Sequence, residues 1–159
     1  MPSTRQLKSR IRSVKSNKQI TKAMELVAAS KLRRAQEATK ASQVYAEAAR
    51  ELLTQLGLKT DVQQNMYYNK RPIKNRLVIL ITSDRGLAGA YNTNAIKQFI
   101  AILEADKKAG IKTKVLCVGR KGAQFAAKLR EVEVTGVYSG LPDNLTAPDI
   151  RPMLVAGVD

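Results

Sequence analysis

The 159-residue chain has no histidine and no tryptophan, a single cysteine, and only two Phe and five Tyr. Without histidine it lacks the usual general base near neutral pH and the commonest metal ligand. The one cysteine, Cys117, lies in the apolar run Val115–Val118. A lone cysteine so placed reads as a core residue, excludes a disulfide framework within the chain, and fits a reducing cytosol. Asp61, Asp84, Glu104, Asp106, Glu131 and Glu133 show no metal-ligand spacing, so the chain reads as non-catalytic, with no cofactor and no metal. Acids are scarce as well: 13 against 28 Lys and Arg, a net charge of +15 that implies an acidic partner. No run approaches the roughly twenty apolar residues of a membrane span, and the start lacks the apolar middle of a signal peptide. The expectation is a soluble chain whose membrane contact comes only through protein partners.

Proline and glycine are absent from Ser3 to Leu56, a stretch rich in Ala, Leu, Lys, Arg, Gln and Glu. That composition predicts one long helix. Ser3 and Gln6 have capping-box spacing, and Gly57 is the expected stop, in the left-handed conformation with Leu58 folding back. One row with coiled-coil spacing runs the whole length: Leu7, Ile11, Val14, Lys18, Thr21, Glu25, Ala28, Leu32, Ala35, Thr39, Ser42, Ala46, Ala49, Leu53 and Leu56. A heptad row on a 3.6-residue helix drifts about 20° per repeat, so following it demands a left-handed supercoil with another helix. Ile20, Met24 and Val27 form a second apolar row off this seam, which a two-stranded coil would leave in water. This stretch carries twelve basic and four acidic residues. Arg5, Lys8, Arg10, Arg12, Lys15, Lys18 and Lys22 precede any acid and spread around the helix, unlike the one-sided charge of a membrane-surface helix.

After a linker over residues 58–72 the pattern changes. Leu77–Ile81 is an unbroken apolar run suited to a central strand covered on both faces. Ile96, Phe99, Ile100 and Leu103 mark a helix closed by Gly110; Val115–Val118 reads as a second strand, residues 123–129 as a short helix, and residues 132–138 as a third strand. Strand, helix, strand, helix, strand predicts a Rossmann-like parallel-sheet domain over residues 73–159. Pro142, Pro148 and Pro152 are expected to break regularity, leaving the domain incomplete at its carboxy end. The fold class is thus α/β, a long amino-terminal coiled-coil helix (residues 3–57) followed by that domain. Two glycine-bearing turns, Gly86–Gly89 and Gly119–Gly122, open toward helices. Neither carries the dinucleotide fingerprint or a Gly-Lys-Ser/Thr phosphate loop, so glycine there reads as turn geometry. The Asp84-Arg85 pair either caps its turn or meets a partner.

The run Leu7–Val14, then Gln19–Gln36, resembles the amino-terminal helix of the gamma subunit of the F-type ATP synthase, and Thr82-Ser83-Asp84-Arg85-Gly86-Leu87-Ala88-Gly89-Ala90-Tyr91-Asn92 resembles that family's loop after the first strand. Many members have Cys where this chain has Ala88. Members also continue into a second long helix that pairs with the first, and nothing here corresponds to it. The resemblance implies a central-stalk rotor subunit that couples proton flow to ATP synthesis in a ring of alpha and beta subunits. It further implies contact with the epsilon subunit and the membrane rotor ring, and a peripheral place at the cytoplasmic face of a bacterial membrane, or at an organelle inner membrane in a eukaryote. Lys18, Lys22, Met24, Lys31, Arg33 and Arg34 are then the expected ring-facing residues, and Asp84, Arg85, Gly86 and Gly89 the partner-binding or turn-forming residues of the foot domain. A basic coiled-coil protein binding nucleic acid is the alternative, since phosphate contacts alone would account for the charge. Against it, Tyr45 is the long helix's only aromatic residue, there is no arginine-rich arm, and the off-seam apolar row has no use on a phosphate backbone.

Overall fold

The computed structural model describes residues 3–59, 65, 68 and 71–158. The chain divides into two units, Met1–Asn69 and Lys70–Asp159. Of the linker expected over residues 58–72, residues 60–64, 66, 67, 69 and 70 lie outside the described residues.

The first unit is built on α1 (Thr4–Lys59), 56 residues without interruption. At 1.5 Å per residue that is about 84 Å of helix. Its start is the expected capping box: the Ser3 N–H donates to Gln6 Oε1 at 3.0 Å and the Gln6 N–H donates to Ser3 Oγ at 3.3 Å. Its end is not where Gly57 predicts, because the helix runs through Gly57 to Lys59 and Leu58 is exposed. Gly57 makes room instead: a Cβ there would lie 3.0 Å from Tyr68 Cε1, and the Tyr68 hydroxyl donates to the Leu53 carbonyl at 3.0 Å. Three polar seam residues satisfy themselves, since the hydroxyls of Thr21, Thr39 and Ser42 donate to the carbonyls of Asn17, Ala35 and Ala38 at 2.9, 2.8 and 3.2 Å. Each therefore presents a methyl or methylene group without an unmet donor. Leu7, Ile11, Val14, Leu32, Leu53 and Leu56 on the seam, and Ile20, Met24 and Val27 off it, are all exposed.

The second unit is a parallel three-stranded sheet in the order β1 (Asn75–Ile81), β2 (Lys112–Val118), β3 (Glu133–Tyr138), the α/β architecture the strand–helix pattern predicts. Two helices, α2 (Tyr91–Ala109) and α3 (Arg120–Ala126), connect them. Both pack on one face, where Leu80, Phe99, Val115, Cys117 and Ala126 form the core. α2 ends at Gly110, left-handed, as the sequence predicts. Burial of the Cys117 thiol pushes its pKa up, which keeps it protonated and inert. Asp106 is buried on α2 but not isolated: the Thr113 hydroxyl donates to it at 2.8 Å and Arg76 Nε lies 3.4 Å away, tying α2 to the starts of β1 and β2.

Two sequence expectations are corrected here. Among the described residues β1 lies at one edge of the sheet and β2 occupies the centre. Leu80 is 4% exposed under α2 and α3, whereas Ile79 and Ile81 on the other face are 49% and 57% exposed. The carboxy-terminal stretch is not irregular either, because α4 (Ala147–Val158) contains Pro152. Asp149 Oδ2 accepts from the Thr146 N–H at 2.8 Å and from its hydroxyl at 2.6 Å, holding the carboxyl below its usual pKa. Pro148 falls in the first turn, where its missing N–H costs nothing, and Pro152 removes one helical hydrogen bond. α4 lies on the face opposite α2 and α3: Met153 is buried, and a Cβ at Gly157 would sit 3.1 Å from Leu77 Cδ2.

Candidate functional site: a helix surface and a strand-end clasp

The six candidate residues on α1 all lie in its exposed length. At 100° per residue, Lys18, Lys22 and Arg33 fall within about 60° of one another, and Met24, Lys31 and Arg34 within about 80° on the opposite side. The candidates therefore form two stripes rather than one patch. Lys22 pairs with Glu25 at 3.1 Å and Arg33 with Glu37 at 3.0 Å, both at the surface. Such pairs contribute only a few tenths of a kcal/mol, so these side chains are free to re-pair with a partner at little cost.

In the second unit, the loop after β1 gathers the carboxyl ends of all three strands. Asp84 is the clasp: Oδ1 accepts from the Arg120 N–H at 2.9 Å and Oδ2 from the Gly140 N–H at 2.8 Å. These bonds, Gly140 first and Arg120 second, hold its pKa below the usual carboxylate value, with help from the Arg120 and Arg85 charges. Thr82 makes a second tie, donating from Oγ1 to the Val118 carbonyl at 3.2 Å and accepting from the Gly122 N–H at 2.7 Å. Asn92 holds the loop from α2, with Oδ1 accepting from the Ser83 N–H at 3.0 Å. Gly119 has φ +96°, and a Cβ on it would fall 2.0 Å from the Thr82 carbonyl oxygen. Glycine there is a requirement of chain geometry.

The same bonds fill the first turn of α3, because Asp84, Ser83 and Thr82 accept from the N–H groups of Arg120, Lys121 and Gly122. These three backbone donors are taken and cannot hold a phosphate, and the helix begins three residues before the sequence pattern places it. Asp84 thus holds the loop to the ends of β2 and β3, while Arg85, Gly86 and Gly89 sit exposed beside it. Leu87, which sequence reasoning missed, is left-handed at φ 66° and 89% exposed at the loop tip. Among the described residues, no group of three His, Cys, Asp or Glu could hold a metal, and no helix is long and apolar enough to cross a membrane.

Asp84→Asn should speed amide exchange at Gly140 or Arg120 about tenfold or more, because an amide nitrogen cannot accept the second bond. Its folded pKa lies below the unfolded value, so its stabilisation is complete above about pH 4 and is lost as pH falls through the depressed value. Acid titration of thermal stability checks the second point: the Asn variant should lose part of the wild type's dependence below about pH 4.

The sequence model of a family described as ATP synthase matches residues 3–156, almost the whole chain, covering both the long helix and the sheet unit. The chain belongs to the ATP synthase family. Its curated relatives carry the name ATP synthase gamma chain. That of Opitutus terrae is 46% identical over 82% of this chain and 42% of the relative. The Pelodictyon phaeoclathratiforme protein is 42% identical over 91% of this chain and 51% of its own length. A third, from Aquifex aeolicus, is 41% identical over 79% of this chain and 43% of the relative. The chain thus spans about half the length of the curated relatives it matches. Within the ATP synthase family the gamma-chain similarity takes in both α1 and the Asp84 clasp.

Proposed function

We propose that this chain forms the helical shaft and part of the foot of the central rotor in a proton-translocating F-type ATP synthase, as a non-catalytic subunit at the cytoplasmic face of the membrane. The observation that carries the reading is α1, a 56-residue helix whose two apolar rows are exposed along its length. Helices gain most of their stability by packing an apolar face, so such a surface calls for a partner that surrounds it. A ring of alpha and beta subunits does so, with the off-seam row Ile20, Met24 and Val27 against the ring and the seam against a second helix. The sheet unit meets the epsilon subunit and the membrane rotor ring. An asymmetric shaft touches each ring subunit differently, so rotation biases their conformations in turn and couples proton flow to ATP chemistry.

The test is capture of the chain by an isolated ring of alpha and beta subunits. Replacing Lys22, Arg33 and Arg34 by Glu together should weaken capture about tenfold at low salt, and the difference should shrink above about 0.3 M as screening shortens. Unchanged capture at low salt removes these residues from the interface. Binding to nucleic acid with no response to the ring would replace the rotor reading with the phosphate-backbone one.

A further inference from the structure

We propose that the cleft at the amino-terminal end of the sheet, between the last turns of α2, the loop before β3 and the starts of β2 and β3, binds one anionic amphiphile. Its phosphate or carboxylate head is held by Lys112, Lys128 and Arg130, and its alkyl chain lies on an aliphatic floor. The cleft is wholly within the sheet unit, so losing it would leave the shaft reading untouched.

The cleft has a volume of about 860 Å³, within the range of small-molecule sites, about 300–1,000 Å³. Leu103, Leu129 and Val132 each pack one side against the core and, with Ile111, line the cleft with the other. That floor can read nothing polar. The Thr113 hydroxyl is the only uncharged polar side chain in the lining, and it is spent on Asp106 at 2.8 Å. No aromatic side chain lines the cleft, so a nucleotide base has no stacking surface there. An alkyl chain needs neither.

The rim is charged, and unevenly so. Five Lys and Arg face three Glu in the lining. Two of these acids are already taken: Lys107 Nζ pairs with Glu131 Oε2 at 2.8 Å, joining α2 to the loop before β3, and Lys114 Nζ pairs with Glu133 Oε1 at 3.0 Å, joining β2 to β3. Lys112, Lys128 and Arg130 are exposed and have no ion-pair partner among the described residues. Glu104 is the one acid of the lining left to offset them. A cleft with an excess of one sign of charge focuses the field on a counter-ion. Arg130 offers a fork that fits phosphate or carboxylate, and the two lysines add point charges. A cationic rim over an aliphatic floor is complementary to a ligand with an anionic head and an apolar tail.

The probe is dodecyl phosphate, kept below its micelle concentration and titrated into the whole chain, with backbone amide chemical shifts read residue by residue. Saturable shifts at Leu103, Ile111, Leu129 and Val132 are expected at one equivalent per chain. Octyl phosphate should bind at those positions at least about tenfold more weakly, since each buried methylene carries about fourfold in affinity. Lys128→Gln combined with Arg130→Gln, both at exposed positions, should leave thermal melting nearly unchanged and weaken binding at least about tenfold at low salt. The apolar rows of α1 are also open to an amphiphile, so shifts confined to residues 4–59 overturn the proposal. Wild-type affinity in the double variant overturns it as well. Equal affinity for inorganic phosphate alone would reduce the cleft to an anion contact and remove the alkyl chain from it. Binding of the chain to phosphatidylglycerol vesicles, with no shift from the monomeric probe, would assign the cations to a membrane surface and also overturn it.

Discussion

Val115→Asp unfolds the sheet unit. Val115 is fully buried at the centre of β2, between the ladders to β1 and β3 and beneath α2 and α3. The substitution removes about 2 kcal/mol of apolar burial. It also places a carboxyl group, charged or protonated, where no donor waits, costing about 3 kcal/mol or more. Together these approach the whole stability of a domain of this size, about 5–10 kcal/mol. Leu80→Asp should do nearly the same from β1. Ile79→Asp, one residue earlier and half exposed, should cost under about 1 kcal/mol. Thermal melts followed by circular dichroism separate the cases. Cooperative melting of Val115→Asp at the wild-type temperature would show that the strand is not where the core is.

α1 falls to protease long before the sheet unit does. Its side chains are exposed along almost the whole helix, and its surface ion pairs and back-bonded hydroxyls contribute little. Opening costs near zero are expected for a helix exposed along almost its whole length, against the full unfolding free energy for the sheet. Trypsin has many sites in both units, so site availability is not the limit. Limited digestion followed by mass spectrometry should show cuts between residues 5 and 50 within the time that residues 75–140 remain intact. Equal rates in both units would mean that α1 is covered by something within the chain.

Much of this architecture is legible in the amino acids because its causes are local. The absence of Pro and Gly, with the Ser3–Gln6 capping box, defines α1, and Gly110 closes α2 through the residue's own backbone freedom. What escapes the sequence depends on distant partners. Asp84 reads as a turn residue or a partner contact, and only the fold shows that its acceptors serve N–H groups 36 and 56 residues away. Thr82 is legible only as the first residue of the loop that carries the resemblance, and its tie is hidden because its partners Val118 and Gly122 lie across the sheet. Gly57 is not the stop: the helix runs through it, and Tyr68 lies against it. In α4, the Thr146–Asp149 capping box is written plainly, but three prolines nearby outweigh it unless their helical positions are known. The β1 run shows apolar flanks on both sides, while the sheet described supplies a neighbouring strand on one side only.

Amide hydrogen exchange of the whole chain, with and without a ring of alpha and beta subunits, tests the shaft reading most directly. Without the ring, Met24 and Leu32 should exchange within about tenfold of unstructured peptide rates, while Val115 and Cys117 stay protected. With the ring present, Met24 and Leu32 should slow together by about a hundredfold or more, because covering the off-seam row stabilises the helical turns that carry both amides. Full protection of Met24 and Leu32 in the chain alone, or no change on adding the ring, would contradict it.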